Sequence, residues 1–159
     1  MPIIWRVGHA FIKAKIAEER ALFGGELSGH FFFADNAFGH DDGTYASLRI
    51  LEYLSEKGIK LSDLIDQFPK YISSPEIKIG CPDEEKIQVV KNLAVKFKSD
   101  FKGAKITDDS VIPGDDGVRA DFEDGMMVFR YSQNGPYLTI KFEAKEQSVF
   151  EERRQYVKN

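Results

Sequence analysis

The chain has one cysteine, Cys81, among its 159 residues. No internal disulfide can form, which fits a reducing compartment. No second cysteine or nearby histidine suggests a metal or redox pair, so Cys81 before Pro82 reads as a small packing residue. No apolar run approaches the ~20 residues of a membrane-spanning helix, and the N-terminus lacks the charged-then-apolar plan of a secretory signal. Basic charge is not in excess: 22 Lys and Arg stand against 26 Asp and Glu, a net charge of -4. That balance argues against general nucleic-acid binding, because neutralising backbone phosphates takes clustered Lys and Arg. Local basic groups can still hold a small anion. Internal repeats and low-complexity segments are also missing. These absences lead to the expectation of a cytoplasmic protein without nucleic-acid or membrane partners.

What is present suits one compact domain or two small ones: 42% of residues are apolar, enough for a core, and 30% are charged. Phe11, Ile12 and Ile16 recur at helical spacing and predict a helix over about Val7–Arg20, broken at Gly24-Gly25. Ala21–Phe23 and Phe31–Phe33 read as short buried strands. Asp41-Asp42-Gly43-Thr44 opens a second helix, where carboxylates suit the exposed N–H groups. That helix carries Tyr45, Leu48, Leu51 and Leu54 on one face and has Gly58 as its C-cap. Leu61–Phe68 is a short helix ended by Pro69.

The character changes around Tyr71–Pro75. Glu76–Gly80 alternates as a strand, and Asp83 is expected to cap a helix in which Ile87, Val90, Leu93, Ala94 and Phe97 share a face. Strands are predicted at Ala104–Thr107, Val118–Phe122, Met126–Tyr131 and Tyr137–Ala144, with Asp124-Gly125 as a hairpin turn. A last helix covers about Glu146–Lys158. The whole is α+β: residues 1–73 resemble part of an α/β domain, and residues 74–159 form a small α+β domain with a mainly antiparallel sheet and two helices. The first part has too few elements to close a sheet and reads as a domain whose beginning is missing. The division is expected after residue 73, with Ser73–Glu76 as a hinge.

Two loops concentrate chemistry. In Gly24–His30, glycines let backbone approach a ligand. Glu26 can accept from two neighbouring hydroxyls, Ser28 can donate and accept, and His30 can move a proton near neutral pH. Such a set suits a sugar, or simply a turn with a solvated Glu. In Arg130–Pro136, the guanidinium fork of Arg130 fits phosphate oxygens. Ser132, Gln133 and Asn134 add neutral donors, and a polar inter-strand loop is the plainer alternative. The acidic and histidine residues His30, Asp35, His40, Asp41 and Asp42 match no tight ligand spacing. Turns and a helix cap explain the aspartates better, so no metal site is expected.

Gly25-Glu26-x-Ser28-Gly29-His30 resembles the sugar-binding signature of the α-D-phosphohexomutases, Gly-Glu-x-Ser-Gly-His, at every fixed position. Leu27 resembles the Met often found there in phosphomannomutase/phosphoglucomutase members. Val7-Gly8-His9 and Asp41-Asp42-Gly43 resemble the flanking segments. Arg130, Ser132, Asn134 and Pro136 fit the family's phosphate loop, Arg-x-Ser-x-(Thr or Asn)-x-Pro, although many members have another pair where this chain has Gln133-Asn134. Asp115–Arg119 resembles a structural hairpin entry.

The resemblance implies that this is the end of domain three, which binds sugar, plus domain four, which binds phosphate. Gly25, Glu26 and Ser28 would contact sugar hydroxyls. His30 would contact sugar and assist proton transfer, and His9 would lie in the active-site cleft or serve as a structural helix-start residue. Arg130, Ser132, Gln133 and Asn134 would hold phosphate. The family's phosphoserine loop and magnesium loop have no match here. Magnesium and a hexose 1,6-bisphosphate are therefore implied only for the full-length enzyme, an isomerase that interconverts hexose 1- and 6-phosphates. This chain alone is expected to be inactive. The implied partners are a phosphorylated hexose and the missing N-terminal domains one and two, with self-association of the incomplete domain three. The alternative is a stand-alone, non-catalytic module that binds sugar phosphates or regulates a partner.

Overall fold

The computed structural model describes residues 1–35 and 38–158. They divide into two compact units, Met1–Pro69 and Lys70–Asn159.

The first unit holds α1 (His9–Glu19), β1 (Phe23–Gly25), β2 (Phe31–Phe33), α2 (Gly43–Lys57) and α3 (Leu61–Ile65). α1 ends where Arg20 turns left-handed (φ 51°). α2 starts where the Asp42 carboxylate accepts the Tyr45 N–H at 2.9 Å, and stops at Gly58 (φ 62°). β1 and β2 form an antiparallel pair with Phe23 opposite Phe33 and Gly25 opposite Phe31. α1 lies so close to this pair that a Cβ on Gly24 would sit 2.6 Å from Ile16 Cδ1.

The buried-strand expectation needs correction here. The first strand begins two residues later than predicted. Phe32 is 1% exposed, but Phe23 and Phe31 are 51% and 37% exposed. The reason is topological: among the described residues β1 and β2 form a two-stranded sheet extended only by a single bridge from Phe32 to Asp41, so the outward rings meet no covering layer. They stack on each other instead, with centroids 6.3 Å apart.

The second unit is β3 (Ile72–Ser73), β4 (Ile77–Gly80), α4 (Asp83–Asp100), β5 (Lys105–Thr107), β6 (Gly117–Phe122), β7 (Gly125–Tyr131), β8 (Tyr137–Ala144) and α5 (Gln147–Lys158). All pairings are antiparallel, in the order β8-β7-β6-β5. β3 and β4 occupy successive stretches of the remaining β8 edge. Alternation along β8 buries Leu138, Ile140, Phe142 and Ala144. Ile140 and Phe142 share a core with Val118, Ala120, Met127 and Phe129 of the neighbouring strands. Ala94 and Phe97 of α4 and Phe150, Tyr156 and Val157 of α5 pack on that core. Each large side chain removed from water there contributes roughly 1.5–3 kcal/mol.

Five local expectations change. The segment expected to act as a hinge is stapled to the sheet: Ser73 pairs with Glu143, and Ser74 exchanges two hydrogen bonds with the Phe142 backbone at 2.9 and 3.0 Å. The division between units lies four residues before the expected one, so residues 70–73 belong with the sheet. Phe122 pairs with Gly125, so the tight turn is Glu123-Asp124 rather than Asp124-Gly125. Gly125 (φ 150°) is the first strand residue, where a Cβ would lie 2.1 Å from the Glu143 carbonyl oxygen. Asp83 makes no side-chain cap; it is the first residue of α4 and its carboxylate holds Lys86. Ile87 is exposed, and Lys86 takes the inward place beside Val90, Ala94 and Phe97.

Candidate functional site

In the first unit, residues 26–30 form the tip of the β1–β2 hairpin. The Glu26 N–H donates to the His30 carbonyl at 2.9 Å and the Gly29 N–H to the Glu26 carbonyl at 3.0 Å. Gly29 adopts φ 87°, a conformation that glycine takes without strain. The turn brings the side chains of Glu26 and Ser28 together. Ser28 Oγ donates to Glu26 Oε2 at 3.1 Å. Glu26 Oε1 is shielded from solvent and meets no donor among the described residues. Leaving such an acceptor unpaired costs free energy, so the site favours a further donor. His30 is half-exposed at the hairpin exit, its Nδ1 2.5 Å from Asp41 Oδ2. His9 stands at the exposed start of α1, and no hydrogen bond joins it to the hairpin tip among the described residues.

The carboxylates and histidines weighed as metal ligands have other occupations. Asp41 holds His30, Asp42 caps α2, Asp35 pairs with Arg49 at 3.1 Å, and His40 Nδ1 lies 3.3 Å from Lys13 Nζ. Among the described residues, no group of three His, Cys, Asp or Glu could hold a metal ion. Nor is any helix of the described residues long and apolar enough to cross a membrane.

In the second unit, residues 130–136 connect β7 to β8. Arg130 is the penultimate residue of β7, opposite Gly117, which sets it beside Asp116. That carboxylate is 2% exposed and takes both prongs of the fork: Nε donates to Oδ1 at 2.8 Å and Nη2 to Oδ2 at 2.7 Å. A bidentate pair of this kind fixes the guanidinium plane. Gln133 Nε2 also donates to Asp116 Oδ2, at 3.3 Å. The expected donor Gln133 is therefore turned inward. Ser132 Oγ accepts the Asn134 N–H at 3.1 Å, which leaves the Ser132 hydroxyl hydrogen to donate. Beneath the loop, Lys86 of α4 donates to the Ser132 carbonyl at 2.6 Å and to Asp83 at 2.6 Å. Cys81 is buried against Val90 and Leu138, and its N–H donates to the Pro136 carbonyl at 2.8 Å. The Asp115 carboxyl is pushed up to about 6, first by burial and then by the Asp116 charge.

Three residues of this machinery escaped the sequence reading. Asp116 passed as part of a structural turn; only the register of β6 on β7 reveals its partner. Lys86 did leave a signal, since a lysine at the spacing of Val90, Ala94 and Phe97 interrupts an apolar stripe. Asp41 was absorbed into the helix start, although one cap needs only one carboxylate.

Residues 2–71 match the family model described as phosphoglucomutase/phosphomannomutase, alpha/beta/alpha domain III. Across 94% of its length the chain is 38% identical to a phosphomannomutase/phosphoglucomutase of Pseudomonas syringae pv. tomato. It is 41% identical, over the same share, to a phosphoglucomutase of Neisseria gonorrhoeae. A phosphoglucosamine mutase of Methanococcus maripaludis is 34% identical over 92% of the chain. The chain spans only about 30% of the length of these relatives: 30%, 31% and 31% respectively. A solved phosphoglucomutase/phosphomannomutase family protein from Burkholderia thailandensis superposes with a TM-score of 0.75 at 32% identity, covering 97% of this chain and 31% of that one.

Proposed function

From the premise that this chain belongs to the phosphoglucomutase/phosphomannomutase family, we propose that it supplies sugar and phosphate recognition to a phosphohexomutase. The whole enzyme moves phosphate between the 1- and 6-positions of a hexose through a bisphosphorylated intermediate. The phosphoryl group would be carried by a phosphoserine, with magnesium, in domains outside this chain. Glu26 accepts from sugar hydroxyls, Ser28 orients it, and His30 takes the proton of the attacking hydroxyl. Arg130, Ser132 and Asn134 hold the phosphate that is not reacting. Asp116 and Lys86 keep that loop in shape before the ligand arrives, which lowers the ordering cost of binding.

The observation that carries the reading is the hairpin tip: a Gly-Glu-x-Ser-Gly-His turn that joins Ser28 to Glu26, leaves Glu26 Oε1 without a donor among the described residues, and ends on His30 at the hairpin exit. The test is an NMR titration of the 159-residue chain with glucose 1-phosphate, run beside a coupled mutase assay. Shifts at residues 26–30 and 130–134, millimolar affinity and no turnover are expected. A single charge-assisted contact is worth about 1.5–3 kcal/mol, so millimolar binding is the natural scale. Arg130→Lys should weaken binding, because an ammonium cannot keep the two-point pair with Asp116 and at the same time offer a fixed N–H to the phosphate, and Arg130→Ala should weaken it further. Shifts that bypass both loops would refute the proposal, and turnover by this chain alone would refute its inactivity.

A further inference from the structure

Asp41 lies eleven residues beyond His30 in the chain and reaches it because Asp41 bridges to Phe32, next to the hairpin exit. Its two oxygens have separate duties. Oδ1 accepts the Phe31 N–H at 3.2 Å and Oδ2 faces His30 Nδ1 at 2.5 Å. The backbone bond prevents the carboxylate from turning, so Oδ2 stays directed at the ring. The neighbouring Asp42 caps α2 through Oδ1, and its N–H donates to the Phe31 carbonyl at 3.2 Å, which ties the same stretch down again.

An ionised carboxylate only accepts hydrogen bonds. The atom facing it must therefore carry hydrogen, which places the proton of the neutral imidazole on Nδ1 and leaves Nε2 with its lone pair. Free histidine in water prefers the opposite tautomer, with hydrogen on Nε2. The second hydrogen bond of a histidine decides which nitrogen is available for chemistry. We propose that Asp41 is a positioning residue that locks His30 in the Nδ1–H tautomer and presents Nε2 as the proton acceptor toward a sugar hydroxyl. This inference rests on the sugar-site reading of the hairpin tip. In the transfer, the hydroxyl proton moves to the Nε2 lone pair and the O–H bonding electrons stay on the sugar oxygen. The ring becomes imidazolium, and Asp41 remains ionised as its counter-charge.

The experiment reads the tautomer directly. Ring nitrogens of 15N-histidine-labelled protein, with His30 assigned by His30→Gln, are measured at a pH where the ring is neutral. The wild-type chain should show a bare Nε2 and a protonated Nδ1 for His30. Asp41→Ala should reverse the balance, so that the Nδ1–H form falls from nearly all of the population to a minority. Asp41→Asn has one acceptor oxygen for two donors. Either Phe31 N–H loses its partner, seen as faster amide exchange, or His30 relaxes toward the other tautomer. A wild-type ring protonated on Nε2, or an Asp41→Ala ring that keeps its proton on Nδ1, overturns the assignment. The wild-type spectrum decides even if Asp41→Ala disrupts the hairpin. The amide shifts of Glu26 and Gly29 report whether it does. Adding glucose 1-phosphate separates the two claims. A locked Nδ1–H tautomer whose Nε2 shift never moves with ligand upholds the role of Asp41 in orienting the ring and removes the sugar-site reading.

Discussion

The two units carry loops of similar size on scaffolds of different completeness. Among the described residues, Lys70–Asn159 contributes fourteen of the buried hydrophobic side chains and Met1–Pro69 contributes two, Ile16 and Phe32. The 130–136 loop rises from adjacent long strands of a six-stranded sheet and is braced by the buried groups Asp116 and Lys86. The hairpin tip rises from two three-residue strands, and an isolated pair of strands is marginal in water. Leu48 and Leu51 of α2 are 59% and 61% exposed, with Ile50 and Tyr53 beside them at 39% and 41%. A binding loop is thus only as well positioned as the layer beneath it. In the first unit that layer presents apolar surface that another chain, or another part of a longer protein, can cover.

The largest expected effect is on local opening. Amides of Val118–Phe142 in the sheet should exchange several orders of magnitude more slowly than those of Phe23–Phe33, because sheet amides open only with the whole core. Equal protection in the two units would break the comparison. The same exposed face predicts concentration-dependent self-association. Leu48→Lys with Leu51→Lys should abolish it in light scattering without changing the exchange of the second unit.

Next in size is Asp116→Ala. It removes one partner of a buried ion pair and should cost about 3 kcal/mol, since an uncompensated charge is left behind. A urea transition of the second unit measures it. A loss under roughly 1 kcal/mol would mean that water replaces the carboxylate and that the loop is held less firmly than argued.

A smaller, pH-dependent effect follows from Asp115, whose folded carboxyl is pushed up to about 6 from 3.8. A raised carboxyl binds its proton more tightly in the folded state. Its contribution is therefore fully present below about pH 4 and is lost as pH rises through about 6. Asp115→Asn should leave acid stability unchanged and raise stability near pH 7. After discounting for solvent screening of a partly exposed group, the gain is on the order of 1 kcal/mol. A gain of equal size at pH 4 and pH 7 would assign it to something other than charge.

The smallest effect is Gly58→Ala at the end of α2. A left-handed alanine costs about 1–2 kcal/mol, partly offset by about 0.4–1 kcal/mol from a stiffer unfolded chain. The net loss of roughly 0.5–1 kcal/mol should appear as lower helicity of the first unit only. A matching loss in the second unit would show that the two units unfold together.

Periodicity and turn residues alone determined most of this fold: the strands from Gly117 to Ala144 and the helix bounds at Gly58 and Lys158; the two loops stood out only through their resemblance to family motifs. These features are local, because each residue's spacing to its near neighbours carries the signal. Only the tertiary structure decided the supports. Asp41 meets His30 across eleven residues, Asp116 meets Arg130 across fourteen, and Lys86 meets Ser132 across forty-six. No local pattern encodes those distances; strand register and helix packing set them. The tight turn moved by one residue, and Ser74 proved to be a staple, for the same reason. A turn's register depends on the strand opposite, and a linker becomes a strand when a sheet edge offers its N–H and C=O groups a partner.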